Sequence, residues 1–234
     1  QERLAAYEAI QKALSLKNKV SEKERDFIDA LATRYNGDTA SPRGPLDLAY
    51  AEAMRELSNK YPEDDDAASL FAESLMNTMP WDYWIDADSP KPLTVEAIEI
   101  LEKVMARNPR HPMALHLYIH AVESSSQPER AEAAADILLD LVPGAGHLVH
   151  MPSHIYWRVG RYADASESNI MAAAVDEAYI AACNAQGFYP AAYYPHNIHF
   201  LWASSSMEGR SEIAIEAGEK VAKNVRLEMI DQFP

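Results

Sequence analysis

Apolar and small residues recur along most of the chain at spacings of three and four, the period of a helix with one buried stripe. Two stripes are especially regular. Ala97, Leu101 and Val104 precede Pro109, and Ala131, Ala135 and Leu138 precede Pro143, 34 residues further on. A second family of stripes shares this period. Leu115, Tyr118, Ile119 and Val122 are followed at the same interval by Val149, Pro152, Ser153 and Tyr156, and an earlier copy is Ala68, Phe71, Ala72 and Leu75. A fixed period of this length means stacked helix pairs, each of which can bury its apolar face only against its neighbours.

The pattern predicts helices over residues 1–19, 21–35, 45–60, 64–78, 93–107, 112–125, 128–141, 148–159, 162–184, 196–207 and 210–226. From 21–35 onward they pair consecutively, except that the stretch from Pro80 to Pro92, with Trp81, Tyr83 and Trp84, separates 64–78 from 93–107. A second insertion, Gly187 to Pro195, is rich in tyrosine and proline. Gly160-Arg161-Tyr162 reads as the turn inside one pair, with Ala165 opening the partner helix. The expectation is a single helical-repeat domain over residues 1–234, compatible with being part of a longer protein.

Composition narrows the functional classes. With 21 basic and 36 acidic residues the formal charge is −15, a surface that repels nucleic acid and anionic membranes alike. Neither nucleic-acid binding nor membrane insertion is expected, and no apolar run reaches the length of a spanning helix. Cys183 is the only cysteine, so neither an intrachain disulfide nor a cysteine-based zinc site can form. The chain starts at Gln1, which leaves an exported or periplasmic location open alongside a cytoplasmic one. Composition says nothing of oligomeric state.

The register, with Ala72, Ala97, Pro109, Ala131, Pro143, Gly160 and Ala165 at its characteristic positions, resembles the tetratricopeptide repeat family over roughly residues 21–226. That resemblance implies an all-α, right-handed α-solenoid of antiparallel helix pairs. Its concave groove would be lined by the first helix of each pair and would take a peptide, a protein or a small molecule.

The chain's histidines concentrate the chemistry. All eight lie at or after residue 111, in or just before the first helices of three successive pairs. His116 and His120 are four apart and share a helix face, which Glu123 continues. His150 and His154 repeat that spacing 34 residues later, so stacking brings the two pairs side by side. Aligning Gly160 with Gly209 matches His147 to His196 and His150 to His199, while His120 maps back onto Glu73. By the family resemblance, Glu73, His116, His120, Glu123, His147, His150, His154, His196 and His199 would line one channel.

Neutral imidazoles at i and i+4 can share a metal ion, and nitrogen ligation without sulfur suits copper, iron or zinc. The histidines are therefore the expected ligands of a mononuclear or dinuclear centre. Glu123 and Glu73 would be the bridging, orienting or catalytic carboxylates. A metalloenzyme follows, an oxidoreductase with copper or iron and a hydrolase with zinc. No His-Glu-x-x-His motif is present: residues 116–120 read His-Leu-Tyr-Ile-His. Tyr193, Tyr194, Trp157 and Asn197 are expected around the substrate groove. Competing expectations are a scaffold that binds peptide or protein without catalysis, a metal carrier or sensor without turnover, and a structural hydrogen-bond network.

Overall fold

A computed structural model describes residues 2–225. The predicted helix over 210–226 therefore extends by one residue outside the described part. Among the described residues the architecture is all-α apart from one two-stranded ribbon, and the chain divides into two compact units, residues 1–117 and 118–234.

Unit one contains α1 (Glu2–Ser15), α2 (Glu22–Ala32), α3 (Arg43–Lys60), α4 (Asp65–Asn77), α5 (Pro92–Arg107) and the first half of α6 (Pro112–Val122). From α1 to α5 each helix packs on the next. Local chemistry sets the boundaries. Ser21 and Glu24 form a reciprocal capping box at the start of α2, and the Asp64 carboxylate accepts the Ala67 N–H at the start of α4. The predicted stripe is fully buried at Ala72, Ala97 and Leu101. The insertion before α5 folds as a short antiparallel ribbon of β1 (Trp84–Asp86) and β2 (Ser89–Pro90), where sequence reading assigned no element.

Unit two contains the rest of α6, then α7 (Glu132–Leu138), α8 (Gly146–His150), α9 (Pro152–Arg158), α10 (Tyr162–Cys183), α11 (Tyr194–Glu208) and α12 (Ser211–Asn224). Two helices expected as continuous are divided. Residues 128–131 wind as a tighter 3-10 turn ahead of α7. The helix expected over 148–159 begins earlier, at Gly146, and Pro152 splits it into α8 and α9 because proline has no N–H to donate. Met151 stays right-handed helical, at φ −50° and ψ −40°, so side chains on either side of Pro152 keep a common face. Gly160 makes the turn into α10 at φ 82°, a conformation that strains residues with a Cβ.

α10 is the spine of this unit, and α8, α9 and α11 all pack on it. Its fully or nearly buried residues are Ala165, Ser166, Ser168, Asn169, Ala172, Ala173 and Asp176. Small side chains let neighbouring helices approach closely. Asn169 and Asp176, seven apart and hence on one face, are the two strongly polar groups in this stripe.

Candidate metal centre

α8, α9 and α11 bring His150, His154 and His196 together over α10. His150 is fully buried, His154 is 8% exposed, and ligand nitrogens of all three lie within 4.8 Å of one another. His150 and His154 stand one turn apart across Pro152, with their Nε2 atoms 2.9 Å apart. His196 joins from the first turn of α11, its ring centroid 4.8 Å from that of His150. Phe200, one turn after His196, packs its ring 4.4 to 5.0 Å from all three imidazoles. The cluster thus has an apolar wall on one side.

The outer partners decide the tautomers. Asn169 Nδ2 donates to the Ala165 carbonyl at 2.7 Å, which turns Asn169 Oδ1 towards His150 Nδ1 at 2.6 Å. An amide oxygen only accepts, so His150 carries its hydrogen on Nδ1 and a lone pair on Nε2. His154 Nδ1 faces Glu123 Oε2 in an ion-pair contact. Burial alone would raise the Glu123 carboxyl, but hydrogen bonds and charge from His120 and His154 outweigh it and hold the group down at about 2. Ionised, Glu123 can only accept, so His154 carries a hydrogen on Nδ1. The Nε2 atoms of His150 and His154 then meet at hydrogen-bonding distance, 2.9 Å apart. A proton or a metal ion between or beside the two nitrogens holds such a pair together.

Electrostatics favours neutral imidazoles. Burial is the largest cause at His150, His147 and His196, followed by the charges of neighbouring histidines. His150 is pushed well below the usual imidazole range, His147 to about 3 and His196 to about 4. Neutral imidazole is the form that ligates metals.

The other residues expected at the site divide. His120 lies beside the cluster, its Nδ1 3.4 Å from Glu123 Oε1 and its ring 5.6 Å from His154, so Glu123 faces both histidines. His147 stacks on His120 and His150 with centroids 6.1 Å apart in each case. His116 stands one turn before His120 on α6. Tyr193 meets the His147 ring edge-on at 4.8 Å and Tyr189 stacks on Tyr193, so the tyrosine-rich insertion does border the histidines.

Four expected positions lie elsewhere. His199 is on the exposed side of α11, tilted against Trp202 at 5.5 Å, and is not drawn into the group of three. Tyr194 is buried in a packing cluster with Ala173, Ile198 and Ala217, and its hydroxyl donates to Glu177. Trp157 is exposed against Tyr162. Glu73 belongs to α4 of unit one, where burial and then the Glu73 charge push the Tyr50 hydroxyl up to about 12. Asn197 is buried and donates to Asp176. His111, outside the expected set, caps α6: its Nδ1 accepts the Ala114 N–H at 3.2 Å and its Nε2 donates to Asp66 at 3.1 Å.

Sequence reasoning missed Phe200 and Asp176 and noted Asn169 only as a possible partner. The signal that could have found Asn169 and Asp176 was their place as polar residues in the small-residue stripe of α10; Phe200 stands one turn after His196 on α11.

No protein-family model matches the sequence, and no curated protein matches it. Among solved structures the chain is similar to one described as "MamA 41-end from Desulfovibrio magneticus RS-1", with a TM-score of 0.56, 14% sequence identity, and coverage of 77% of this chain and 86% of that one. At that identity the likeness concerns the fold alone, and the fold is an all-α solenoid of the tetratricopeptide-like kind.

Proposed function

We propose that this chain is a helical-repeat protein that binds a transition-metal ion through His150, His154 and His196. The observation carrying this reading is the buried convergence of three ring nitrogens within 4.8 Å, with the Nε2 atoms of His150 and His154 2.9 Å apart and their Nδ1 atoms turned to Asn169 and Glu123. Metal-ligating histidines characteristically donate their other ring N–H to a carboxylate or carbonyl, as His154 does to Glu123 and His150 to Asn169. A four-coordinate ion ~2.0–2.1 Å from two imidazole nitrogens sets them about 3.3 Å apart. A few tenths of an ångström of ring movement therefore accommodates it. Nitrogen donors suit copper, iron or zinc.

Three protein donors leave a tetrahedral ion one position for water or substrate, the arrangement of catalytic rather than closed structural sites. Glu123, His120, His147 and Tyr193 border the cluster and are the groups available to orient a ligand or move a proton. A carrier, or a repeat scaffold that takes a small molecule or peptide without turnover, agrees equally with the fold, since fold class does not determine chemistry. The count of three protein donors is what favours catalysis.

Calorimetric titration of untagged protein with zinc tests the binding. Near-stoichiometric uptake is expected, falling by at least about 100-fold in affinity when His150→Ala or His154→Ala removes a ligand. Unchanged affinity in both variants would sink the assignment.

A further inference from the structure

The Asp176 carboxylate, two turns along α10 from Asn169, makes its hydrogen bonds to Tyr189 and Asn197 rather than to His150, His154 or His196, yet three contacts connect it to the segments that carry them. Tyr189 donates its hydroxyl to Asp176 Oδ1 at 2.7 Å, and Asn197, next to His196, donates Nδ2 to Oδ2 at 2.7 Å. The Tyr189 hydroxyl also accepts the backbone N–H of His147. The third contact is with backbone. A Cβ at Gly146, the first residue of α8, would fall 1.9 Å from Asp176 Oδ1. α8 therefore starts directly against the carboxylate, in space only glycine leaves.

Tyr189 lies in a wide π-helical turn, Tyr189–Tyr193, that runs directly into α11. Such turns are rare overall and frequent at functional sites. Asp176 is itself 1% exposed, and a carboxylate so deeply buried is costly unless its oxygens are bonded.

We infer that Asp176 is a positioning residue, which fixes the start of α8 and the start of α11 against α10 and so sets the distance between His150 and His196. This rests on the metal-binding reading of those histidines. The mechanism is hydrogen bonding rather than charge, and Asn197 makes the difference testable. Asn197 Oδ1 is buried without a hydrogen-bond partner among the described residues. In Asp176→Asn the new amide oxygen still accepts from Tyr189, and a turned-over Asn197 amide accepts from the new NH2. Asp176→Leu offers neither bond, and Tyr189→Phe removes the hydroxyl that joins Asp176 to His147 while leaving the bond from Asn197.

Cobalt(II) is a suitable probe, because its visible absorption reports both affinity and coordination geometry. Cobalt titrations of wild type, D176L, Y189F and D176N, with helix content followed by circular dichroism, test the inference. Outer-partner losses of this kind weaken metal binding about 10- to 100-fold. That loss is expected for D176L and Y189F, with a weaker, altered cobalt band, while D176N stays within about threefold of wild type. If D176L fails to fold, Y189F and D176N decide. Wild-type affinity in Y189F, or a D176N as impaired as Y189F, overturns the positioning role while leaving the metal reading intact. A wild-type protein that takes up no cobalt overturns the metal reading and this inference with it.

Discussion

Lowering the pH of the metal-free protein from 7.5 to 5.0 tests the electrostatic account of the cluster. Folding holds His147 at about 3, His196 at about 4 and His150 well below the usual range, against an ordinary imidazole value of 6.5. Below pH 6.5 the unfolded chain gains protons at these rings and the folded chain refuses them. The associated stability is fully present above 6.5 and is lost as the pH falls towards the folded values. At pH 5.0 each refused proton costs about 2 kcal/mol, so His147 and His196 together cost about 4 kcal/mol, and His150 acts in the same direction. That compares with a whole-domain stability of about 5–15 kcal/mol. Glu123 acts in the same direction, but only between the ordinary carboxylate range and about 2, outside the window. Asp176, raised chiefly by burial, opposes the trend at the acid end. Urea unfolding followed at 222 nm, on chelator-treated protein at several pH values, reads the loss directly. A double variant, His147→Gln with His196→Gln, should remove about 4 kcal/mol of the pH dependence whatever its effect on stability at pH 7.5. If wild-type stability falls by less than about 1 kcal/mol across the window, the rings are hydrated in the folded state and the reasoning is wrong.

Further outcomes follow from single side chains. Gly146→Ala puts a methyl group into the Asp176 carboxylate, so thermal unfolding should show a loss of at least about 2 kcal/mol; an unchanged melting temperature would mean that α8 does not start against that carboxylate. Glu123→Gln leaves one acceptor where His120 and His154 use two oxygens. Competition against a chelator should show zinc affinity falling about 10- to 100-fold, and equal affinity would deny Glu123 its orienting role. His199→Ala should leave zinc affinity unchanged and stability within about 0.5 kcal/mol, because the ring is exposed against Trp202; a tenfold loss of affinity would put His199 in the site after all.

Much of this was legible in the chain because one period governs both packing and chemistry. Ala97 and Ala131 are a repeat apart and both fully buried, as is Ser153, so the helical register fixed the faces that carry His150 and His154. The same register misplaced His199. Matching glycines at the helix ends treats α11 as another copy, but its entry through the π-helical turn at Tyr189–Tyr193 belongs to no other repeat among the described residues. In the structure His196 and Phe200 face the cluster and His199 faces solvent with Trp202. The roles of Asn169 and Asp176 escaped for a different reason. A repeat template directs attention to first helices, whereas α10 is a second helix, and its polar residues matter through the backbone turns they hold. The ribbon at Trp84–Pro90 also has no periodic signal, being too short for alternation to show.

The claim that His150, His154 and His196 share an ion is tested most directly by a crystal structure of metal-loaded protein with anomalous diffraction recorded at the metal's absorption edge. An anomalous peak is expected about 2.0–2.1 Å from the Nε2 atoms of His150 and His154, with His196 completing the protein ligands and Glu123 and Asn169 still on the outer nitrogens. A peak elsewhere, or none, with the two Nε2 atoms still 2.9 Å apart, would contradict the claim and leave a shared proton as what holds the pair together.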